Sequence, residues 1–404
     1  MTKPPPRLAV LLLIYAAFVS MGLPDGILGA AWPQMRAELS VALNDNWPML
    51  ALGTCGSALS NFSSGAALRR LGVGRVLVLT TFLTALVILG YALAGSFAVL
   101  SALGFFLGLG NGAIDAGLNH FASAKLSSRH MSWLHGFWGV GVSLGTLLLS
   151  SAVSLGGTWR HAYLVIALVQ LALGGAFVFG RGALPGATPR VGEPQASHPP
   201  FSATFRLPVA WASMAAFFVY CGLESAAGLW IASVLHDGRG WTTQAAGLMT
   251  TLYWASLTVG RFLIGAVSTR VSSGRIVQAS TLGALVGTAT VALSSALVDW
   301  GSLAGALTAL GLLVTGLSLA PVFPMLMHDT PRSVGEGHAL NLIGFQGAAG
   351  QLGLTLLPIA IGTVLRVRST EWLGSLLAAL SLLLLTLLKL REHFTAQRSA
   401  RRAA

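Results

Sequence analysis

The sequence predicts an all-α polytopic membrane protein of about twelve transmembrane helices in two pseudo-symmetric six-helix bundles, and three observations lead there. Hydrophobic residues fill 54% of the 404 positions and charged residues only 9%, with a mean hydropathy of +0.75, far too few charges to cover a soluble globule. The apolar runs are about 20 residues long, the length of a membrane helix and not of the short alternating strands of a barrel. A polar stretch from Arg181 to Arg206, holding Pro185, Pro189, Pro194, Pro199 and Pro200, parts the runs six and six. The expected organisation is a first bundle over residues 1–180, a cytoplasmic linker over 181–206, a second bundle over 207–390 and a basic cytoplasmic tail over 391–404.

The first run starts at Leu8 and ends near Ala31, too long and too well followed by others to be a cleaved signal peptide. On it Gly22, Asp25, Gly29 and Trp32 share a face, and Pro24 frees a backbone carbonyl. The second run ends near Leu68 against Arg69, Arg70 and Arg75, and the third near Ala94. The fourth, ending near Phe121, spaces Asn111, Asp115 and Asn119 by four, a polar stripe that cannot face lipid. The fifth, carrying His135 and Trp138, ends near Leu155, and the sixth near Gly180. In the second half, the seventh run stacks Tyr220 and Glu224 one turn apart, carries Trp230 and ends near Leu235. The eighth holds Trp254 and Arg261 and ends near Ala266. The last four end near Val298, Met327, Gly362 and Leu390, and the amides Asn341, Gln346 and Gln351 all lie on the eleventh.

The net charge of +12 is a matter of topology. One side of the drawing collects Lys3, Arg7, Arg69, Arg70, Arg75, Lys125, Arg129, Arg181, Arg190, Arg206, Arg270, Arg275, Arg332 and every basic residue from Lys389 on. The other has only Arg36, Arg160, Arg239, Arg366 and Arg368. The first side is therefore expected to be cytoplasmic, both termini included, with anionic lipid head groups and not nucleic acid as partners of the positive charge. The expected setting is a plasma membrane, a bacterial inner membrane given the excess of Arg, Ala, Gly and Leu, and the expected assembly a monomer. Trp32, Trp47, Trp159, Trp241, Trp300 and Trp372 at outer ends and Trp133 and Trp211 at inner ends fit an interfacial belt. Cys55 and Cys221 imply no disulfide framework.

The halves repeat. Phe18-Val19-x-x-Gly22-Leu23 recurs as Phe218-Val219-x-x-Gly222-Leu223, and Gly65-Ala66-x-x-x-Arg70-x-x-x-Gly74-Arg75 as Gly265-Ala266-x-x-x-Arg270-x-x-x-Gly274-Arg275. Gly136-Phe137-x-Gly139 with Leu144-Gly145 recurs as Gly344-Phe345-x-Gly347 with Leu352-Gly353, which marks a duplicated six-helix unit. Twelve helices, a long central loop and the basic pattern after the second and eighth helices resemble the major facilitator superfamily. That resemblance implies that Gly65, Arg70, Arg75, Arg270 and Arg275, with the neighbouring Arg261, serve a cytoplasmic gate, although Arg69 stands where the family carries an acid.

A narrower likeness, to fucose permease-like sugar:proton symporters, is carried by Gly22-Leu-Pro-Asp25-Gly, Gly110-Asn111-Gly-x-x-Asp115-x-x-x-Asn119, His135-Gly-Phe-Trp-Gly-x-Gly141 and Tyr220-x-Gly-x-Glu224-x5-Trp230. It implies that Asp25 and Asp115 bind the proton or the substrate.

The residues point the same way unaided. Three carboxylates, Asp25, Asp115 and Glu224, sit inside apolar runs with one embedded arginine, Arg261, so they cannot all be paired. Glu224 serves the proton or substrate, or else makes a structural hydrogen bond to Tyr220 or a facing helix. His135 either relays protons or packs. Asn111, Asn119, Asn341, Gln346 and Gln351 offer amides to a sugar, and Trp138, Trp230 and Trp254 offer aromatic faces or simply pack. No metal-ligand spacing, phosphate loop or nucleophile elbow is present, so no enzyme, metal site or cofactor is expected. The expected function is secondary transport of a small polar solute, a sugar, coupled to H⁺ with Na⁺ as the other candidate ion. The alternatives are a proton-antiport exporter of drugs or metabolites and a non-transporting sensor or scaffold.

Overall fold

The computed structural model describes residues 8–41, 47–180 and 199–403. Residues 181–198 of the expected linker, with Lys3 and Arg7, lie outside the described residues. The elements are helices: α1 (Leu8–Glu38), α2 (Trp47–Leu71), α3 (Val73–Leu93), α4 (Phe97–Lys125), α5 (Ser128–Ser154), α6 (Trp159–Gly180), the short α7 (Phe201–Phe205) and α8 (Pro208–Ser233). They continue with α9 (Thr243–Val267), α10 (Ser273–Ala296), α11 (Ser302–Leu319), α12 (Val322–Val334), α13 (Glu336–Val367) and α14 (Trp372–Ala403).

Each of the twelve apolar runs is helical. The tenth is broken into α11 and α12 at Pro321, a residue with no N–H to continue the ladder. Ten stretches among the described residues are long and apolar enough to cross a membrane. The other two, α2 and α9, are 25 residues each, and their apolar content is diluted by small polar residues. In α2 these are Ser57, Ser60, Asn61 and Ser64, all buried, so the helix turns its polar side to protein.

The chain folds into two compact units. The first comprises Met1–Pro199 with Glu336–Ala348, the second Pro200–Gly335 with Ala349–Ala404. In the first, α2 packs on α4, α1 on α5 and α6, and α3 on α4 and α6; in the second, α9 packs on α11, α8 on α14, and α10 on α11 and α14. The pairing thus follows the sequence repeat: α3 with α6 corresponds to α10 with α14, and α1 with α6 to α8 with α14.

Glycines let these helices touch backbone to backbone. A Cβ on Gly22 or Gly26 would run into the main chain of α5 at Trp138 or Val142, and one on Gly141 or Gly145 into that of α1 at Val19 or Leu23. With water absent from a bilayer core, such contact and interhelical hydrogen bonds replace the hydrophobic drive.

Two prolines each leave a carbonyl for a side chain to cap. Pro24 cannot donate to Ser20, four residues earlier, and Gln170 of α6 donates its amide to that Ser20 oxygen at 3.3 Å. In the second unit Pro358 releases the Leu354 carbonyl in the same way, and the Ser225 hydroxyl donates to it at 3.1 Å. The carbonyl that Pro24 was expected to free is therefore occupied.

Candidate functional site

In the first unit, α1, α4 and α5 present a polar constellation. On α4 the four-residue spacing lets Asn119 Nδ2 donate to Asp115 Oδ1 at 2.8 Å. Asn119 is fully buried, and its Oδ1 meets His135 Nε2 of α5 at 3.1 Å. An amide oxygen only accepts, so His135 donates from Nε2, and Asp115, Asn119 and His135 form one chain of hydrogen bonds. The His135 ring is held edge-on against Phe18 of α1, with centroids 5.1 Å apart. Asp25 on α1 accepts from Trp138 Nε1 of α5 at 3.2 Å, which fixes the indole beside it. The close crossing of α1 and α5 brings this pair together, and the glycine contacts permit that crossing. Among the described residues, neither Asp25 nor Asp115 has an ion-pair partner. Asn111, one turn before Asp115, keeps a buried Oδ1 with no hydrogen-bond partner there.

The third carboxylate is in a different state. In the second unit Glu224 is buried and faces Arg261 of α9, whose Nη2 lies 3.2 Å from Oε1 and 3.3 Å from Oε2. The Tyr220 hydroxyl donates a short hydrogen bond to Oε2, and that of Tyr253 donates to the Glu224 backbone carbonyl at 3.0 Å. A charge pair out of water persists only where hydrogen bonds saturate it, and Tyr220 contributes one to the carboxylate, while Tyr253 bonds the main chain of Glu224.

Arg261, grouped by sequence with the gate arginines, thus points into the second unit and not to a loop. Arg70, Arg75, Arg270 and Arg275 are exposed and carry no ion pair among the described residues. The contact near the first of these motifs is made by Arg69, whose Nη1 donates to Asn341 Oδ1 at 2.6 Å. Asn341 belongs to the part of α13 that packs in the first unit, donates to the Pro199 carbonyl at 3.1 Å and sits against Gly65. Phe62 stacks on Phe345 beside it, with centroids 5.0 Å apart. The residue at the position of the missing acid therefore makes a contact of its own.

Of the remaining candidates, Trp230 donates to the Pro358 carbonyl at 2.9 Å and covers Gly362, while Trp254 covers Gly228. Both are packing contacts inside the second unit. Gln346 is fully buried and Gln351 half-buried on α13. Sequence reasoning passed over Gln170 and Asn61. Each is a polar residue in an apolar run and fully or almost fully buried, and that signal was available. Among the described residues no group of His, Cys, Asp and Glu could hold a metal ion.

Comparison with known proteins agrees with this architecture. The profile of the Major Facilitator Superfamily matches residues 14–350. A probable nitrate/nitrite transporter of Mycobacterium tuberculosis, NarK2, is 26% identical over 341 residues, covering 83% of this chain and 84% of its own. Among solved structures, the E. coli fucose:proton symporter FucP superposes with a TM-score of 0.72 at 14% identity, over 95% of this chain and 98% of its own. A bacterial homologue of the iron transporter ferroportin, in an outward-facing state, does so with a TM-score of 0.75 at 15% identity, over 96% and 100%. At such identities the structural likeness is one of fold.

Proposed function

The chain belongs to the Major Facilitator Superfamily, and from that premise we propose that it is a secondary active transporter moving a small polar solute, a sugar, by proton-coupled alternating access of its two bundles. One observation carries the reading. Of three carboxylates embedded in apolar helices, Glu224 is neutralised by Arg261, while Asp25 and Asp115 are left with neutral partners, Trp138 and Asn119. An embedded carboxylate whose partners are neutral can gain or lose a proton without breaking an ion pair, so each is suited to take up and release one as its surroundings change.

The same groups support the solute class. Asp25 with Trp138 offers a carboxylate beside an aromatic ring, and Asn111 offers an amide, the pairing that sugar hydroxyls and ring faces engage. An oxyanion such as nitrate, the substrate in the name of the mycobacterial relative, calls for an uncompensated guanidinium. Arg261 and Arg391, both buried in the second unit, already face Glu224 and Asp329. The proposed setting is a bacterial inner membrane with both termini in the cytoplasm, from the arrangement of basic residues.

Uptake into proteoliposomes under an imposed proton gradient tests the reading. The parent should accumulate a monosaccharide, and Asp115→Asn should lose accumulation while keeping solute exchange. Accumulation driven by a sodium gradient instead would replace the ion, and extrusion of a cationic drug would replace both solute and direction. If Asp25→Asn and Asp115→Asn both accumulate solute as well as the parent, the proposed coupling is wrong.

A further inference from the structure

Helices α8 and α14 of the second unit leave a groove of about 540 Å³ between them. Its walls are apolar, with Trp211 on the α8 side and Leu390 and Phe394 on the α14 side. Ala212 and Ala215, too small to fill the space, line the α8 side as well. Among the described residues Arg206 is the one charged residue lining it, and it is exposed. Trp211 and Leu390 are 55% and 41% exposed, so nothing among the described residues covers the groove.

The position of the groove along both helices defines what fits. The membrane-length stretch of α8 begins at Pro208, two residues after Arg206. On α14 the lining residues lie where the leucine run gives way to Lys389, Arg391, Glu392 and His393. The groove therefore straddles the boundary between apolar and charged sequence on both helices. Trp211 is fixed there: its indole N–H donates to the Phe205 carbonyl at 2.8 Å and its ring packs edge-on to Phe205. With its polar atom satisfied, the ring presents only apolar surface to an occupant. A ligand that matches an apolar trough ending at one exposed guanidinium, at the level of the head groups, is an amphiphile with a negative head.

We propose that this groove is a binding site for an anionic phospholipid, with an acyl chain against Trp211 and Leu390 and the head-group phosphate on Arg206. The site is independent of the solute and of the coupling ion.

The full chain in detergent is titrated with brominated phosphatidylglycerol or brominated phosphatidylcholine while tryptophan emission is followed. Phosphatidylglycerol should quench a component that Trp211→Phe removes, at roughly five- to tenfold lower lipid concentration than phosphatidylcholine. Arg206→Gln should erase that preference without changing quenching by phosphatidylcholine, and Arg206→Lys should keep most of it. Circular dichroism and monodispersity establish that each variant is folded, and the Lys variant serves where the Gln variant is not. Equal quenching by the two lipids in the parent overturns the site, as does a preference that survives Arg206→Gln. Competition by inorganic phosphate would point to a free anion, and loss of the quench with dimer formation in native mass spectrometry to a second copy; either result also overturns it.

Discussion

Arg239 and Glu371 lock together edge to edge, Nε to Oε1 at 2.9 Å and Nη2 to Oε2 at 2.6 Å, just after α8 and just before α14. In the first unit the same two places in the repeat, the end of α1 and the start of α6, carry the pair with its charges exchanged: Glu38 accepts from Arg160 Nε at 2.9 Å. Each unit thus ties its first helix to its last by one guanidinium–carboxylate clasp. The arginine in both also reaches further, to Ser294, Ser295 and Thr308 in one case and to the Ala92 carbonyl in the other.

The two clasps should differ in strength. The side chains of Arg239 and Glu371 are 4% and 22% exposed, those of Arg160 and Glu38 25% and 44%. Removing one partner of a buried pair costs about 3–5 kcal/mol, whereas exposed pairs contribute about 0.2–1 kcal/mol. Arg239→Ala should therefore lower the thermal unfolding midpoint in detergent far more than Glu38→Gln does. Equal shifts would show that burial does not set the difference.

Glu38 also predicts a pH dependence. Partial burial pushes its pKa up, but hydrogen bonds from Arg160 and Trp159 and the charge of Arg160 outweigh this and hold it below the ordinary 4.5. A depressed carboxylate contributes stability that is complete above the unfolded value and fades as pH falls through the folded one. The gap in unfolding midpoint between the parent and Glu38→Gln should be constant above pH 4.5 and close below it. A gap that widens on acidification would contradict the assignment.

How far the sequence could be read depends on the range of the forces involved. Helices follow from apolar length alone, and the stripe of Asn111, Asp115 and Asn119 follows from helical spacing, so both were legible. That Asn119 bonds Asp115 is local geometry, but that it also bonds His135 depends on how α4 and α5 cross. Glu224 pairing with Arg261 and Arg69 with Asn341 are likewise settled by tertiary packing. Its place near the cytoplasmic end of the eighth run grouped Arg261 with the gate residues, because sequence carries no register between α8 and α9. Pro24 signalled a freed carbonyl, yet only the packing of α6 shows that Gln170 takes it.

Close helix crossing makes glycine position-specific. Gly141→Val would press side-chain carbons into the Val19 backbone and should abolish a monodisperse peak in size-exclusion chromatography. Gly175, in the interior of α6, has nothing within 4 Å of the place a Cβ would take, so Gly175→Ala should be tolerated and raise stability by up to about 1 kcal/mol through helix propensity. Tolerance of both substitutions would remove backbone contact as the reason for the α1–α5 crossing.

The Glu224–Arg261 pair should behave as one unit. Arg261→Met leaves a buried carboxylate uncompensated and should cost about 3–5 kcal/mol, while adding Glu224→Gln removes the unpaired charge and should recover much of the loss. Thermal unfolding of the two single variants and the double variant measures this. A double variant as unstable as the sum of the singles would mean that the residues act separately.

Asp115, Asn119 and His135 make the last prediction, which rests on the proposed proton coupling. Asn119 uses both ends of its amide, one on the carboxylate and one on the imidazole, and is sealed from solvent, so it joins His135 to Asp115. Groups joined in series through one buried link are strongly non-additive, with interaction terms of about 0.5–3 kcal/mol. Asn119→Ala should therefore reduce gradient-driven uptake by about as much as Asn119→Ala with His135→Ala, because the histidine's influence is already cut when the amide is gone. Asp115→Asn should be more severe than either, since it removes the titrating group itself, and solute exchange without a gradient should survive in all of them. If the losses from Asn119→Ala and His135→Ala simply multiply, the histidine acts by another route, and the hydrogen-bond chain does not serve coupling.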